Sequence, residues 1–221
     1  MAVRALYSSA TGMAANSFNL DIIANNLANS STTAYKQSRA NFEDIFYENF
    51  KLPGVQDNQG NITPTGIALG IGTRVQSTEG DFEQGSILPS NGTYDLAIVG
   101  DGFFRVNDGT QDLYTRAGNF SLNANGNLVM ASADKGYQLQ PTISIPQDAI
   151  NITISGDGVV SYQQQGSTQI QTAGNIQIAR FINNQGLVRQ GDNLYTETTG
   201  SGPSQFGDPG TEGCGQFFFF F

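Results

Sequence analysis

Leu6, Met13, Leu20 and Leu27 fall seven residues apart, with Ala10, Ser17 and Ala24 between them in alternating steps of four and three. That rhythm is a coiled-coil seam, and it predicts one helix over residues 3 to 28 with Val3 ahead of the seam. At 1.5 Å per residue the helix is roughly 40 Å long. Small residues at alternate seam positions permit close approach but bury little, so the helix is marginal in water by itself. It needs a partner: helices of other copies, or a β domain of its own chain onto which it folds. The long loop that follows favours the first. At its end Asn25, Asn26 and Asn29 crowd into five residues, where their amides compete for backbone groups and so cap and turn the chain.

Beyond the helix the text becomes polar and β-branched through residue 41. Phe42, Ile45, Phe46 and Phe50 then stand at i, i+3, i+4 and i+8, the spacing of a short amphipathic helix or a tight wrap. From Leu52 to Gly72 the punctuation by Pro53-Gly54, Asn58, Gly60, Asn61, Pro64, Gly66 and Gly70 predicts a long loop or extended arm. Short period-two runs follow. Tyr94–Val99, Gly100-Asp101-Gly102 and Phe103–Val106 read as strand, turn, strand. Asn119–Leu122 and Asn127–Met130 form a hairpin about Asn125-Gly126, whose positive φ values suit strand twist. Ile150–Ile154 and Val159–Tyr162 repeat the device about Asp157-Gly158, and further strands lie at 176–181, 187–189 and 194–196. After Thr198 a Gly/Pro-rich linker leads to five phenylalanines, Phe217 to Phe221.

The fold expected is therefore α+β. A coiled-coil-type helix and turn span residues 1–33, an extended arm 34–73, a mainly antiparallel β domain 74–198, and a linker with an aberrant tail 199–221. Net charge is −9 with only ten Lys and Arg, which weighs against nucleic acid and against docking on an anionic membrane. Histidine is absent, removing the commonest acid–base group and metal ligand. Cys214 is the one cysteine and forms no internal disulfide. No apolar run is long enough to span a bilayer, the five phenylalanines included, and the N-terminus lacks a Sec-type leader.

Candidate chemistry is thin. Asn123–Asn127 lacks the carboxylates of a calcium loop, and Gly100-Asp101-Gly102 lacks the lysine and helix of a phosphate cradle, so both read as turns. Asp95, Asp101, Asp108 and Asp112 could supply a glycosidase pair, but each flanks a turn where aspartate bonds its own backbone. The sequons at Asn61 and Asn91 are expected by chance in so asparagine-rich a chain. No catalytic residue, metal or cofactor is expected, and the chain is not read as an enzyme. A rival from another class is a secreted glycan-binding module whose concave patch would use Tyr94, Tyr114, Tyr137 and Tyr162.

The run from Ala24 to Lys36, with Asn25, Asn26, Leu27, Asn29, Thr33, Tyr35 and Lys36, resembles the N-terminal signature of the flagellar rod and hook family, the axial proteins of the bacterial flagellum. Three further segments, in order, are similar to that family's β-domain motifs. Tyr94–Phe104 contains Gly100, Gly102, Phe103 and Phe104, Leu113–Phe120 contains Tyr114, Arg116 and Gly118, and Gly191–Thr198 contains Asn193, Leu194 and Tyr195. The segments Tyr47–Gly72 and Ile150–Tyr162 look most like the distal-rod branch, with a proximal-rod or hook subunit as alternatives.

The resemblance implies an assembly seam at Leu6, Ala10, Met13, Leu20 and Leu27, with Asn25, Asn26 and Asn29 at its end. It implies a helical polymer in the rod of the basal body that carries torque from motor to hook. The implied partners are other copies, other rod proteins, the hook protein, the surrounding ring bushing and the type III export apparatus that replaces a signal peptide. The family's Gly stands as Ala34 here. Where its C-terminal helix is expected, Cys214-Gly215-Gln216 and the phenylalanines follow instead. This predicts a truncated or frame-shifted product, a monomer whose seam helix is frayed.

Overall fold

The computed structural model describes residues 2–56, 59–90, 92–133, 135–211 and 213–218. Asn58, the sequon residue Asn91 and Phe219 to Phe221 lie outside them. The architecture is α+β: one N-terminal helix, an extended region and then mainly antiparallel sheet. It forms two compact units, Met1–Phe82 and Glu83–Phe221.

In the first unit, helix α1 spans Ala2–Ala28, and four strands follow: β1 (Ser38–Asp44), β2 (Tyr47–Lys51), β3 (Ile67–Gly70) and β4 (Thr73–Gly80). The β1 strand pairs antiparallel with β4, with a bulge between Asn41 and Phe42, and β2 pairs antiparallel with β3. The helical spacing from Phe42 to Phe50 therefore misled. Residues four apart share a face in a strand as well as in a helix, so Phe42, Phe46 and Phe50 satisfy both periods. The arm expected over 34–73 is folded back on itself rather than open. Gly54 N–H donates to Thr63 O at 2.8 Å and Thr63 N–H to Val55 O at 3.1 Å, so the apparent long loop narrows to the segment between them. A boundary at residue 73 would cut β4 from its partner β1, and the unit runs on to Phe82. Arg39 lies opposite Glu79, at 2.6 Å, and Glu43 opposite Arg74, ion pairs that favour this register.

The second unit is built on a nine-stranded antiparallel sheet, counted among the described residues, centred on Phe103–Asn107. That strand is flanked by Asp112–Thr115, Gln138–Gln140 and Ile178–Arg180. Ala149–Ile154, Val159–Gln164 and Ile170–Asn175 make a three-stranded sheet beside it. The core runs through Leu96, Phe104, Val106, Leu139, Ile143, Ile145, Val160 and Ile178.

The hairpin at Asn123–Asn127 is tighter in cause than expected. Gly126 N–H donates to Asn123 O at 2.9 Å and Asn123 N–H to Asn127 O at 3.0 Å, a type I turn closed by one left-handed residue, Gly126 (φ 80°). The Asn123 side chain accepts from the N–H groups of Asn125 and Asn127, both at 2.9 Å. Ser155–Val159 repeats the construction with Gly158 at φ 84°.

The stretch expected to leave the β domain as a linker returns to it. Gln205–Gly207 pairs with Ile178–Arg180, and Gln216–Phe218 pairs with Ala97–Val99. Phe217, read from sequence as part of an aberrant tail, is buried and stacks on Phe104 with ring centres 5.6 Å apart. A run of identical residues carries no periodicity, so its strand character was invisible. Burying one such ring contributes about 1.5–3 kcal/mol.

Candidate assembly surface

Two faces of α1 do different things. Thr11, Gly12, Ala15, Asn19, Ile22 and Asn26 are partly or fully buried, and the helix packs on β1 and β4. Gly72, at the head of β4, approaches Thr11 so closely that a Cβ there would meet Thr11 Oγ1 at 2.3 Å. The seam points elsewhere, about 140° around the helix at 3.6 residues per turn. Leu6 is 70% exposed, Met13 67%, Leu20 65% and Leu27 73%, and Ala10 is exposed with them. So the helix is docked on a hairpin of its own unit, by a face of small and polar residues, and the apolar seam is left open. The seven-residue repeat of Asn19 and Asn26, alternating with Ala15 and Ile22, was the sequence signal for that second face.

The signature turn is a hydrogen-bonded knot. Asn26 Nδ2 donates to Ser38 O at 2.7 Å, and Ser38 N–H donates back to Asn26 Oδ1 at 3.0 Å. The Tyr35 hydroxyl lies 2.8 Å from Asn25 Oδ1 and 3.0 Å from Asn26 Oδ1, its one hydrogen shared between them. Asn29 donates to Asn25 O from its side chain at 3.0 Å and from its backbone at 3.1 Å, satisfying a carbonyl the helix end leaves over. Thr32 donates to Asn29 Oδ1 at 3.3 Å, and Lys36 Nζ to Phe82 O at 3.4 Å. Thr33 is exposed in the turn between, and Ala34 sits in the left-handed region at φ 61°. Sequence reading found the asparagines but not Ser38 or Arg4. Arg4 ion-pairs with Glu48 and lies over the Phe50 ring at 5.8 Å.

The β-unit motifs converge on one another. Arg116 donates to Gly100 O at 2.7 Å and covers the Phe103 ring at 5.3 Å, and its burial draws the guanidinium pKa down. Phe103 meets Phe181 and Tyr195 edge-on, at 5.8 and 5.7 Å. Gly102 (φ 135°) leaves room for Ile178, whose Cγ2 would stand 2.0 Å from a Cβ, and at Gly118 a Cβ would meet Leu96 O at 1.6 Å. Thr115 donates to Asn193 O at 2.9 Å, and Leu194 is buried beside it. Tyr114 packs on Phe181 at 4.7 Å and donates to Ser204 Oγ at 3.0 Å, its pKa raised by burial.

The tyrosines of a glycan patch are thereby accounted for otherwise. Tyr114, Tyr137 and Tyr162 are buried, and Tyr94 packs against the core. The aspartates serve turns and neighbours. Asp108 accepts from the Thr110 hydroxyl and from the N–H groups of Gln111 and Thr110, which lowers its pKa to about 2. Asp112 accepts from Asn107 Nδ2 at 2.7 Å, Asp95 accepts from the Ser90 hydroxyl, and Asp101 gives its carbonyl to Gly215 N–H at 2.7 Å. Among the described residues no cluster of three metal-ligating side chains occurs, and no helix is long and apolar enough to cross a membrane.

Known proteins divide the chain along the same lines. Residues 6–36, the seam and its knot, match the family model for the flagella basal body rod protein. Residues 97–162 match that of the flagellar hook protein FlgE/F/G D1 domain. Both are axial proteins of the flagellum, structural rather than catalytic. The flagellar basal-body rod protein FlgG of Caulobacter vibrioides is 42% identical over 215 residues, covering 96% of this chain and 81% of the relative. That of Bacillus subtilis is 38% identical over 224 residues, with the same coverage. The flagellar hook protein FlgE of Helicobacter mustelae is 39% identical over 141 residues, covering 62% of this chain and 30% of its own. The chain belongs to the FlgG family of flagellar basal-body rod proteins, and its function is that of a structural axial subunit of the rod.

Proposed function

We propose that this subunit builds the distal part of the rod, polymerising helically into the shaft that passes torque from motor to hook. The carrying observation is the seam: four large apolar residues, seven apart, each at least 65% exposed on a helix already docked by its other face. Covering them against helices of neighbouring copies removes that surface from water, and repeated head-to-tail contacts of one kind generate an open filament. Leu6, Ala10, Met13, Leu20 and Leu27 would make the seam contact. The segment Phe42–Gly72 would make the rod-type contact, with Phe46, Phe50, Leu52 and Ile62 more than half exposed along it. Its neighbours would be copies of itself, other rod proteins, the hook protein and the ring around the rod. Delivery would be by the flagellar export apparatus.

The test is complementation of cells lacking their rod subunit with Met13→Asp/Leu20→Asp. Exported, folded subunit without rods is the expected result. Normal rods and motility would refute the seam.

A further inference from the structure

Resting on the reading of α1 as an assembly helix, we infer that Asn26 and Tyr35 are positioning residues. They fix the angle at which the seam is presented, through bonds inside the chain rather than to a neighbour. The Asn26 amide both donates to and accepts from the backbone of Ser38, the first residue of β1. This is the paired exchange that two facing strand residues make in an antiparallel ladder, supplied here by a side chain.

One hydrogen bond would act as a pivot about which the helix could roll. Two bonds from a planar amide fix the roll. Tyr35 completes the device by holding Asn26 Oδ1 and Asn25 Oδ1 from the far side of the turn. Rotation is what matters for a seam. Advancing the helix surface by one residue swings a stripe by about 100°, enough to carry Leu20 out of register with any neighbour. At the other end of α1, Arg4 is tied to Glu48 and lies over Phe50. Both ends of the helix are thus referred to the hairpin strands, and the seam's direction is set by the subunit before a neighbour arrives.

The experiment uses the full chain and reads two quantities: hydrogen exchange at the Ser38 amide by NMR, and rod assembly in cells lacking their own rod subunit. Asn26→Leu keeps the shape of the side chain and removes both of its bonds to Ser38. Tyr35→Phe removes only the hydroxyl. Tyr35→Phe leaves both Asn26 bonds to Ser38 in place, so the test stands even where the leucine variant fails to fold. Both should raise Ser38 exchange about fivefold or more and reduce assembled rods, whereas Leu20→Asp should abolish rods and leave Ser38 exchange unchanged. Loss of rods with Ser38 protection intact would mean that the asparagine touches a neighbour, which overturns the inference. Loss of protection with normal rods overturns it too, because the clasp would then be local only. Normal rods from Leu20→Asp would instead remove the seam reading beneath it.

Discussion

The two units of this chain treat apolar residues in opposite ways. Of the buried apolar residues among those described, Ala15 alone belongs to the helix–hairpin unit; the rest lie in the β unit. Conversely Val3, Leu6, Met13, Leu20, Leu27, Phe46, Phe50, Leu52, Ile62 and Ile67 of the first unit are all more than half exposed, while among the described residues of the second only Leu88, Ile170, Ile182 and Val188 are. A monomer rarely leaves so much apolar surface to water without a use for it. The β unit is stabilised by its own interior. The helix–hairpin unit is held by hydrogen bonds, ion pairs and one packed face, and its apolar side is left exposed.

Truncating the core breaks the contrast hardest. Phe104→Ala removes a ring fully buried between Phe120 and Phe217 and should lower the β unit's stability by about 3–5 kcal/mol in urea unfolding. Ala34→Gly acts in the other unit and in the other direction. It relieves a left-handed alanine at φ 61° and should stabilise the turn by about 0.5–1 kcal/mol, read as slower exchange across residues 29–38.

A smaller effect follows from Asp108, whose folded pKa of about 2 lies below its ordinary 3.8. The fold favours the carboxylate, so its stabilisation is present above pH 4 and is lost as pH falls toward 2. Asp108→Asn should flatten that part of the β unit's stability-against-pH curve. The smallest effect is the sharpest contrast. Leu20→Ala, as large a truncation as many core changes, should leave unfolding of the isolated subunit within about 0.5 kcal/mol.

Legibility in the sequence followed how local each signal was. The helix, its end at Asn29 and the hairpins about Gly126 and Gly158 are written within a few residues of one another, and were read correctly in kind. The pairing of Ser38–Asp44 with Thr73–Gly80 was not, because its two halves are remote and neither alternates cleanly between faces. Gln205–Gly207 and Gln216–Phe218 failed for the same reason, each being three residues with a distant partner. The seam residues could be named from spacing, but not what the opposite face does. That depended on Ser38 and Gly72, which show no pattern at all. Tyr114 and Tyr162 were misplaced in the glycan reading because a tyrosine's side of a strand is fixed only by its sheet partners.

The strand Gln216–Phe218 has a consequence for the order of folding events. It sits opposite Ala97–Val99, so that Phe217 faces Ile98 across almost the whole length of the β unit's sequence. Closing a loop of that size is entropically slow. A chain emerging from its N-terminal end, whether from a ribosome or from a narrow channel, offers the Phe104 ring its stacked partner only once residue 217 is clear. Until then Ala97–Val99 lacks its strand partner and the core lacks the Phe217 ring. The β unit therefore has a late step, and the pace of that step is set by delivery of the chain.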